Sequence, residues 1–241
     1  METIDEIWKW SSEINQECRV ERITDYVSIA RNVYKYPDRV LEFQELLCRW
    51  ETWETARPGM TSLVLPAWLS KNLIEEVFDM DDSEQVISSC EPEFLYFYRD
   101  NIQKHDNIPL DEDLQTGNCL LPHNDYVDDN TESIIFLVNL NHRTVKTGFW
   151  SFNEEVLQYE DTDEEVNEYA RSIDLHNYHE KTNNGILDNV LNVEYNFNEA
   201  IVYNARALHQ PWIDDFYTRQ NPRIMLRFPF DLSQEELKRV L

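Results

Sequence analysis

Residues 122–140 read PHNDYVDDNTESIIFLVNL, and the two ends of that stretch decide the fold. Its second half, Ser133–Leu140, is an almost unbroken apolar run of strand length, the pattern of a strand covered on both faces. Its first half places His123 and Asp125 on either side of Asn124. On an extended chain, residues two apart point to the same face. An imidazole and a carboxylate therefore aim at one point, while Asn124 turns away.

Working outward, other short stretches read as strands: Tyr26–Val33, Glu93–Arg99, Thr147–Phe152, Ala200–Ala207 and Arg223–Phe230. Two stretches read as helices. One begins at Pro37 and repeats apolar residues at Val40, Phe43, Leu46, Leu47 and Trp50; the other, Ala67–Met80, repeats them at Leu69, Leu73, Ile74 and Val77. Arg57–Ser62 reads as a turn-rich loop, and the acidic stretch Asn153–Glu180 holds a further helix near Glu164–Ile173. Helices lead and short strands follow, which predicts an α+β fold with an antiparallel barrel or sandwich. With only four glycines, the turns must rely on Asn, Asp and Pro. No repeat or linker divides the chain. A single domain is expected, with residues 1–92 as support, 93–230 as the core and 231–241 as a C-terminal helix.

The formal charge is −26, from 47 acidic and 21 basic residues. A field of that sign repels phosphate backbones and anionic headgroups, so neither a nucleic acid nor a membrane is an expected partner. The cysteines at 18, 48, 90 and 119 form no CxxC pair, so neither a zinc knuckle nor a redox motif is supported, and their low density fits a reducing compartment. The start, METIDEIWKW, lacks a signal-peptide core, and the run Ile134–Val138 is too short to cross a bilayer. A cytoplasmic location is expected. The sequence is silent on oligomeric state.

A third donor must come from another strand. His209 follows the strand-like AIVYNARAL and precedes Pro211. Two histidines and one carboxylate on one face of a metal leave open positions, the arrangement of non-haem Fe(II) oxygenases. An anionic cosubstrate needs a counter-charge. Arg223 opens the strand RIMLRFPF, and a guanidinium grips a carboxylate through two parallel hydrogen bonds. Arg227 lies on the same face and is the reserve candidate. The competing reading of Arg223 is a surface ion pair with Asp214 or Asp215. His176 and His179 share a helix spacing in a polar stretch and read as a solvated face, while His105 and His142 read as surface residues. Tyr96, Tyr98, Phe149 and Trp150 read as core or as pocket lining. The acidic stretch contains no calcium-loop pattern.

The order H-x-D, apolar strand, short Gly-aromatic strand, distal His and then Arg resembles the Fe(II)/2-oxoglutarate-dependent oxygenase superfamily, most closely its prolyl-hydroxylase-like branch. In that branch the iron strand runs Y-x-x-G-x-x-Y-x-x-H-x-D. Here Gly117 is in register, while Leu114 and Leu120 stand at the tyrosine positions. Asn139–Phe152, NLNHRTVKTGFWSF, looks like the branch's Y-L-N…G-G-T-x-F stretch, with Gly148 kept. The resemblance implies a double-stranded β-helix, a jelly-roll or cupin-like barrel with N-terminal helices. It also implies Fe(II) on His123, Asp125 and His209, with 2-oxoglutarate and O₂ as cosubstrates and hydroxylation of a C–H bond with release of succinate and CO₂. The substrate would be an amino acid, a peptidyl residue or another small molecule. A halogenase is disfavoured, because that branch replaces the carboxylate ligand and Asp125 is present. The alternatives are a 2-oxoglutarate-independent metalloenzyme of cupin type and a non-catalytic module on the same fold.

Overall fold

In the computed structural model the described residues are 6, 8–9, 12–47, 50–52, 60–62, 64–80, 86, 90–97, 125, 132–152, 187–212, 217–218 and 220–241. Among them the elements run β1 (Arg19–Arg22), β2 (Val27–Arg31), α1 (Pro37–Leu47), β3 (Trp50–Thr52), β4 (Met60–Ser62), β5 (Glu93–Phe97), β6 (Glu132–Asn139), β7 (Val145–Phe152), β8 (Leu187–Tyr195), β9 (Ala200–Asn204), β10 (His209–Trp212), β11 (Arg223–Leu232) and α2 (Gln234–Val240). A large sheet has the order β1-β2-β9-β6-β11-β5-β4-β3 and a small one the order β10-β7-β8. Every pairing is antiparallel.

Alternation along the central strands sorts the core into two layers. Ile134, Phe136 and Val138 of β6, with Leu226, Phe228 and Phe230 of β11, face the helical side, where Val40, Phe43, Leu73, Ile74 and Val240 cover them. Ile135 and Leu137, with Ile201 and Tyr203 of β9 and Met225 of β11, face the small sheet and meet Val145, Phe149, Val193 and Tyr195. Strand β6 is therefore covered on both faces, as its apolar run requires. Phe136 packs edge-on against Phe78 and Phe228. The inner layer, between the two sheets, holds the candidate site.

Several elements differ from the sequence-based expectation. Trp50 ends no helix; α1 stops at Leu47 and Trp50 opens a short hairpin with β4, so part of the predicted 57–62 loop is strand. Ala67–Met80 is not one α-helix. It begins as a 3-10 turn, Ala67–Ser70, and widens to π geometry over Leu73–Val77, closed by Phe78 N–H donating to Leu73 O. The wider turn keeps Leu73 and Phe78 on one face although they are five residues apart. Strands β1, β8 and β10 carry little of the alternation that marks a strand: β1 is exposed throughout, and β10 is an edge strand that contains Pro211. The predicted helix Glu164–Ile173 lies outside the described residues.

Turn chemistry follows from the glycine shortage. The described non-glycine residues with positive φ are Asn32, Asp79 and Asn198. Asn198 also accepts from Tyr34 N–H and donates to Tyr34 O, tying the β8–β9 turn to the chain before α1. Gly148 has a packing reason. A Cβ there would lie 2.9 Å from Trp212 Nε1, so a side chain would push β10's tryptophan off β7.

Candidate functional site

The chain leaves the large sheet at Asn204 and joins the small one at His209. Asn204 side-chain oxygen accepts from Arg206 N–H, and its carbonyl accepts from Ala207 N–H, which makes the crossing a tight turn. Tyr203 and His209 thus face one another across the inner layer, their ring centroids 4.5 Å apart. Phe149, opposite His209 in the β7–β10 register, packs edge-on against Tyr203. The same turn captures Asp125, whose backbone N–H donates to Ala205 O at 2.9 Å.

Three polar atoms then meet. The Tyr203 hydroxyl donates to Asp125 Oδ2 at 3.1 Å and lies 3.1 Å from His209 Nε2. His209 Nε2 and Asp125 Oδ2 are 3.5 Å apart, with side chains 6% and 9% exposed. His209 Nδ1 is 3.1 Å from Ala207 O. A carbonyl oxygen only accepts, so that hydrogen bond puts a proton on Nδ1, and in the neutral imidazole Nε2 keeps the lone pair. Burial, and then the neighbouring Asp125 carboxylate, pushes the Tyr203 hydroxyl well above its ordinary range, so it stays protonated.

Arg227 closes this group from β11. Its Nη1 donates to Glu93 Oε1 at 2.7 Å, directly across the β5–β11 pairing, and its Nη2 lies 3.9 Å from Asp125 Oδ2. Burial opposes its charge, but the Asp125 and Glu93 carboxylates outweigh burial and raise its pKa. Glu93 also accepts from the Thr61 hydroxyl. Two carboxylates against one guanidinium leave a net negative charge beside the His209 imidazole, a donor set that fits a divalent cation.

Arg223 is fully buried on the same face of β11 as Met225 and Arg227. Its Nη1 donates to Trp212 O at 3.0 Å and to Lys146 O at 3.3 Å, and its Nη2 donates to the Tyr195 hydroxyl at 2.9 Å. That hydroxyl is 3.1 Å from Thr147 Oγ1. Its described hydrogen-bond partners are all neutral, and Nε finds none among the described residues. Arg223 is therefore not at the surface, as the competing ion-pair reading placed it; Asp214 and Asp215, the partners in that reading, lie outside the described residues. A buried guanidinium with neutral company and a spare N–H fits a carboxylate ligand.

Of the predicted site residues, Asp125 and His209 meet, and Arg223 and Arg227 line the same inner layer. His123 lies outside the described residues, as do Gly117, Leu114, Leu120, His105, His176 and His179. His142 is exposed, beside Asp38. Among the described residues, no group of three His, Cys, Asp and Glu side chains is placed to hold a metal ion. None of their helices is long and apolar enough to cross a membrane.

No protein-family model and no curated protein matches the chain. Solved structures do. HygX from Streptomyces hygroscopicus, crystallised with nickel, 2-oxoglutarate and hygromycin B, shares 10% identity over 86% of this chain and 83% of its own, with a TM-score of 0.46. SnoK, a non-heme alpha-ketoglutarate-dependent carbocyclase from nogalamycin biosynthesis, shares 9% identity over 94% of this chain and 83% of its own, with a TM-score of 0.44. The epimerase SnoN, in complex with Fe³⁺, alpha-ketoglutarate and nogalamycin RO, shares 11% identity over 95% and 83%, with a TM-score of 0.44. At such identities and scores none of their site residues carries over to this chain.

Sequence reasoning missed Tyr203, Glu93, Tyr195 and Thr147. Tyr203 had a signal: it is the polar-tipped residue on the inward phase of AIVYN, two after Ile201. Glu93 had one too, as a lone acid at the head of an aromatic strand. The pairing of Glu93 with Arg227 depends on register, which one strand's sequence does not show.

Proposed function

We propose that this chain is a non-haem Fe(II)- and 2-oxoglutarate-dependent oxygenase built on a double-stranded β-helix, hydroxylating a C–H bond of a small-molecule or peptidyl substrate. One observation carries the reading: Asp125 and His209 Nε2 converge at 3.5 Å in the same inner layer that buries Arg223 among neutral partners. His123, Asp125 and His209 are the residues to hold the iron, and Arg223 the residue to hold the distal carboxylate of 2-oxoglutarate.

Fe(II) with 2-oxoglutarate and O₂ supplies oxidation coupled to release of succinate and CO₂. The chain's own groups do the rest. The Ala207 carbonyl orients His209 and fixes its tautomer. Arg227 faces the Asp125 carboxylate while its other arm is held by Glu93. Arg223 presents an anchored guanidinium, with the Tyr195 and Thr147 hydroxyls beside it. Phe149 and the Tyr203 ring wall the pair off from water, which strengthens each electrostatic contact inside.

The test is optical. Metal-free protein given Fe(II) and 2-oxoglutarate without O₂ develops the weak visible absorption of the chelate, and Asp125→Ala and His209→Ala each lose it. Undiminished absorption in both variants refutes the reading.

A further inference from the structure

We propose that Glu93 is a positioning residue for the metal centre. By holding the Arg227 guanidinium, it keeps that cation from closing on Asp125 Oδ2, the oxygen that faces His209 Nε2 across 3.5 Å. This rests on the oxygenase reading for the ion's presence. It goes beyond that reading by giving a part in metal binding to a residue outside the proposed ligand set.

The first argument is distance. Arg227 Nη2 lies 3.9 Å from Asp125 Oδ2, close enough for attraction and too far for a hydrogen bond. A guanidinium and a carboxylate left to themselves close to about 2.8 Å, often through two parallel bonds. The movement withheld is therefore about 1 Å. Arg227 Nη1 instead donates to Glu93 Oε1 at 2.7 Å.

The second argument is that the fold fixes both ends of this gap. Glu93 and Arg227 stand opposite one another in the β5–β11 register. Glu93 Oε2 accepts from the Thr61 hydroxyl on β4, the strand that pairs with β5 on its other side. At the far end, the Asp125 backbone N–H donates to Ala205 O. The side chains of Glu93, Arg227 and Asp125 are 14%, 19% and 9% exposed, so little water screens the choice the guanidinium makes. Two carboxylates compete for Arg227, and a divalent ion competes with Arg227 for one of them. A neutral amide at position 93 loses the first contest, because it offers the guanidinium no opposite charge.

Iron affinity tests this without turnover. The dissociation constant of the full-length protein for Fe(II) is measured without oxygen, by competition with a chromophoric chelator. Glu93→Gln is expected to weaken binding about 10–100-fold, the scale of one hydrogen bond between charged groups. Adding Arg227→Leu to that variant is expected to restore the parent affinity or better, because the competitor is gone. A merely structural role for Glu93 gives no such rescue. The double variant removes both members of a buried pair, a replacement that such pairs tolerate well, so it keeps the inference open to refutation if Glu93→Gln alone folds poorly. Parent-like iron binding in Glu93→Gln overturns the inference, and so does a double variant that binds iron more weakly than the parent. Both results spare the oxygenase reading when Asp125→Ala abolishes binding. Iron binding that Asp125→Ala leaves unchanged overturns the inference and the reading together.

Discussion

Arg223 and Arg227 share one face of β11, yet their surroundings are opposite. Arg227 is held between the carboxylates of Glu93 and Asp125, and its charge is matched within the fold. Arg223 is more deeply buried and touches two carbonyls and a phenol, so its charge is not matched within its described contacts. Burying an unmatched charge costs several kcal/mol. The difference separates an arginine whose charge is matched within the fold from one that, on the proposed reading, holds the cosubstrate's carboxylate.

The largest effect falls on the matched residue. Arg227→Leu leaves two carboxylates in the inner layer without their cation, and the loss is about 3 kcal/mol of stability in urea unfolding. A loss under about 1 kcal/mol, the range of an exposed pair, would break the comparison. Arg223→Leu is expected to do the reverse. It removes a buried charge with neutral partners, so the urea midpoint holds or rises. It weakens 2-oxoglutarate binding to the iron-loaded protein by about 1.5–3 kcal/mol, the scale of a hydrogen bond to a charged group, with iron affinity unchanged. Calorimetric titration checks both variants, and a reversed ranking would move the carboxylate clamp to Arg227.

Tyr195→Phe sharpens the contrast at smaller scale. It deletes one neutral partner of Arg223 Nη2 and weakens 2-oxoglutarate binding by about 1 kcal/mol in the same titration. Cys90, in the outer layer, gives a baseline set mainly by burial, with Arg227 a smaller opposing influence. Burial pushes the Cys90 thiol up from 9.0 to about 12. The unfolded chain therefore releases that proton first, and stability present below pH 9 is lost as pH rises toward the folded value. Between pH 8 and 9.5 this thiol accounts for about 0.8 kcal/mol of lost stability, and Cys90→Ala flattens the alkaline limb by that amount.

The sequence showed some of this and hid the rest for physical reasons. Strand β6 was legible because burial on both faces demands an apolar run, and β11 because its alternation places Arg223, Met225 and Arg227 together. His209 was legible from its place after an apolar strand. Strands β1 and β10 were not, because an edge strand has no need to alternate. The 67–80 helix misled because apolar spacing reports which face is buried, not whether the turn is 3-10, α or π. Tyr203 and Glu93 gain their meaning from partners on other strands, and local pattern carries no register.

The central claim is that one inner layer holds a metal at Asp125 and His209 and an anion at Arg223. A crystal grown without O₂ in Mn(II) and 2-oxoglutarate tests it directly, by anomalous scattering at the manganese edge. The expected result is one anomalous peak about 2.1 Å from Asp125 Oδ2 and His209 Nε2, with the distal carboxylate of 2-oxoglutarate on the Arg223 guanidinium. A peak away from both side chains, or a carboxylate held elsewhere with Arg223 still facing only Trp212, Lys146 and Tyr195, would contradict it.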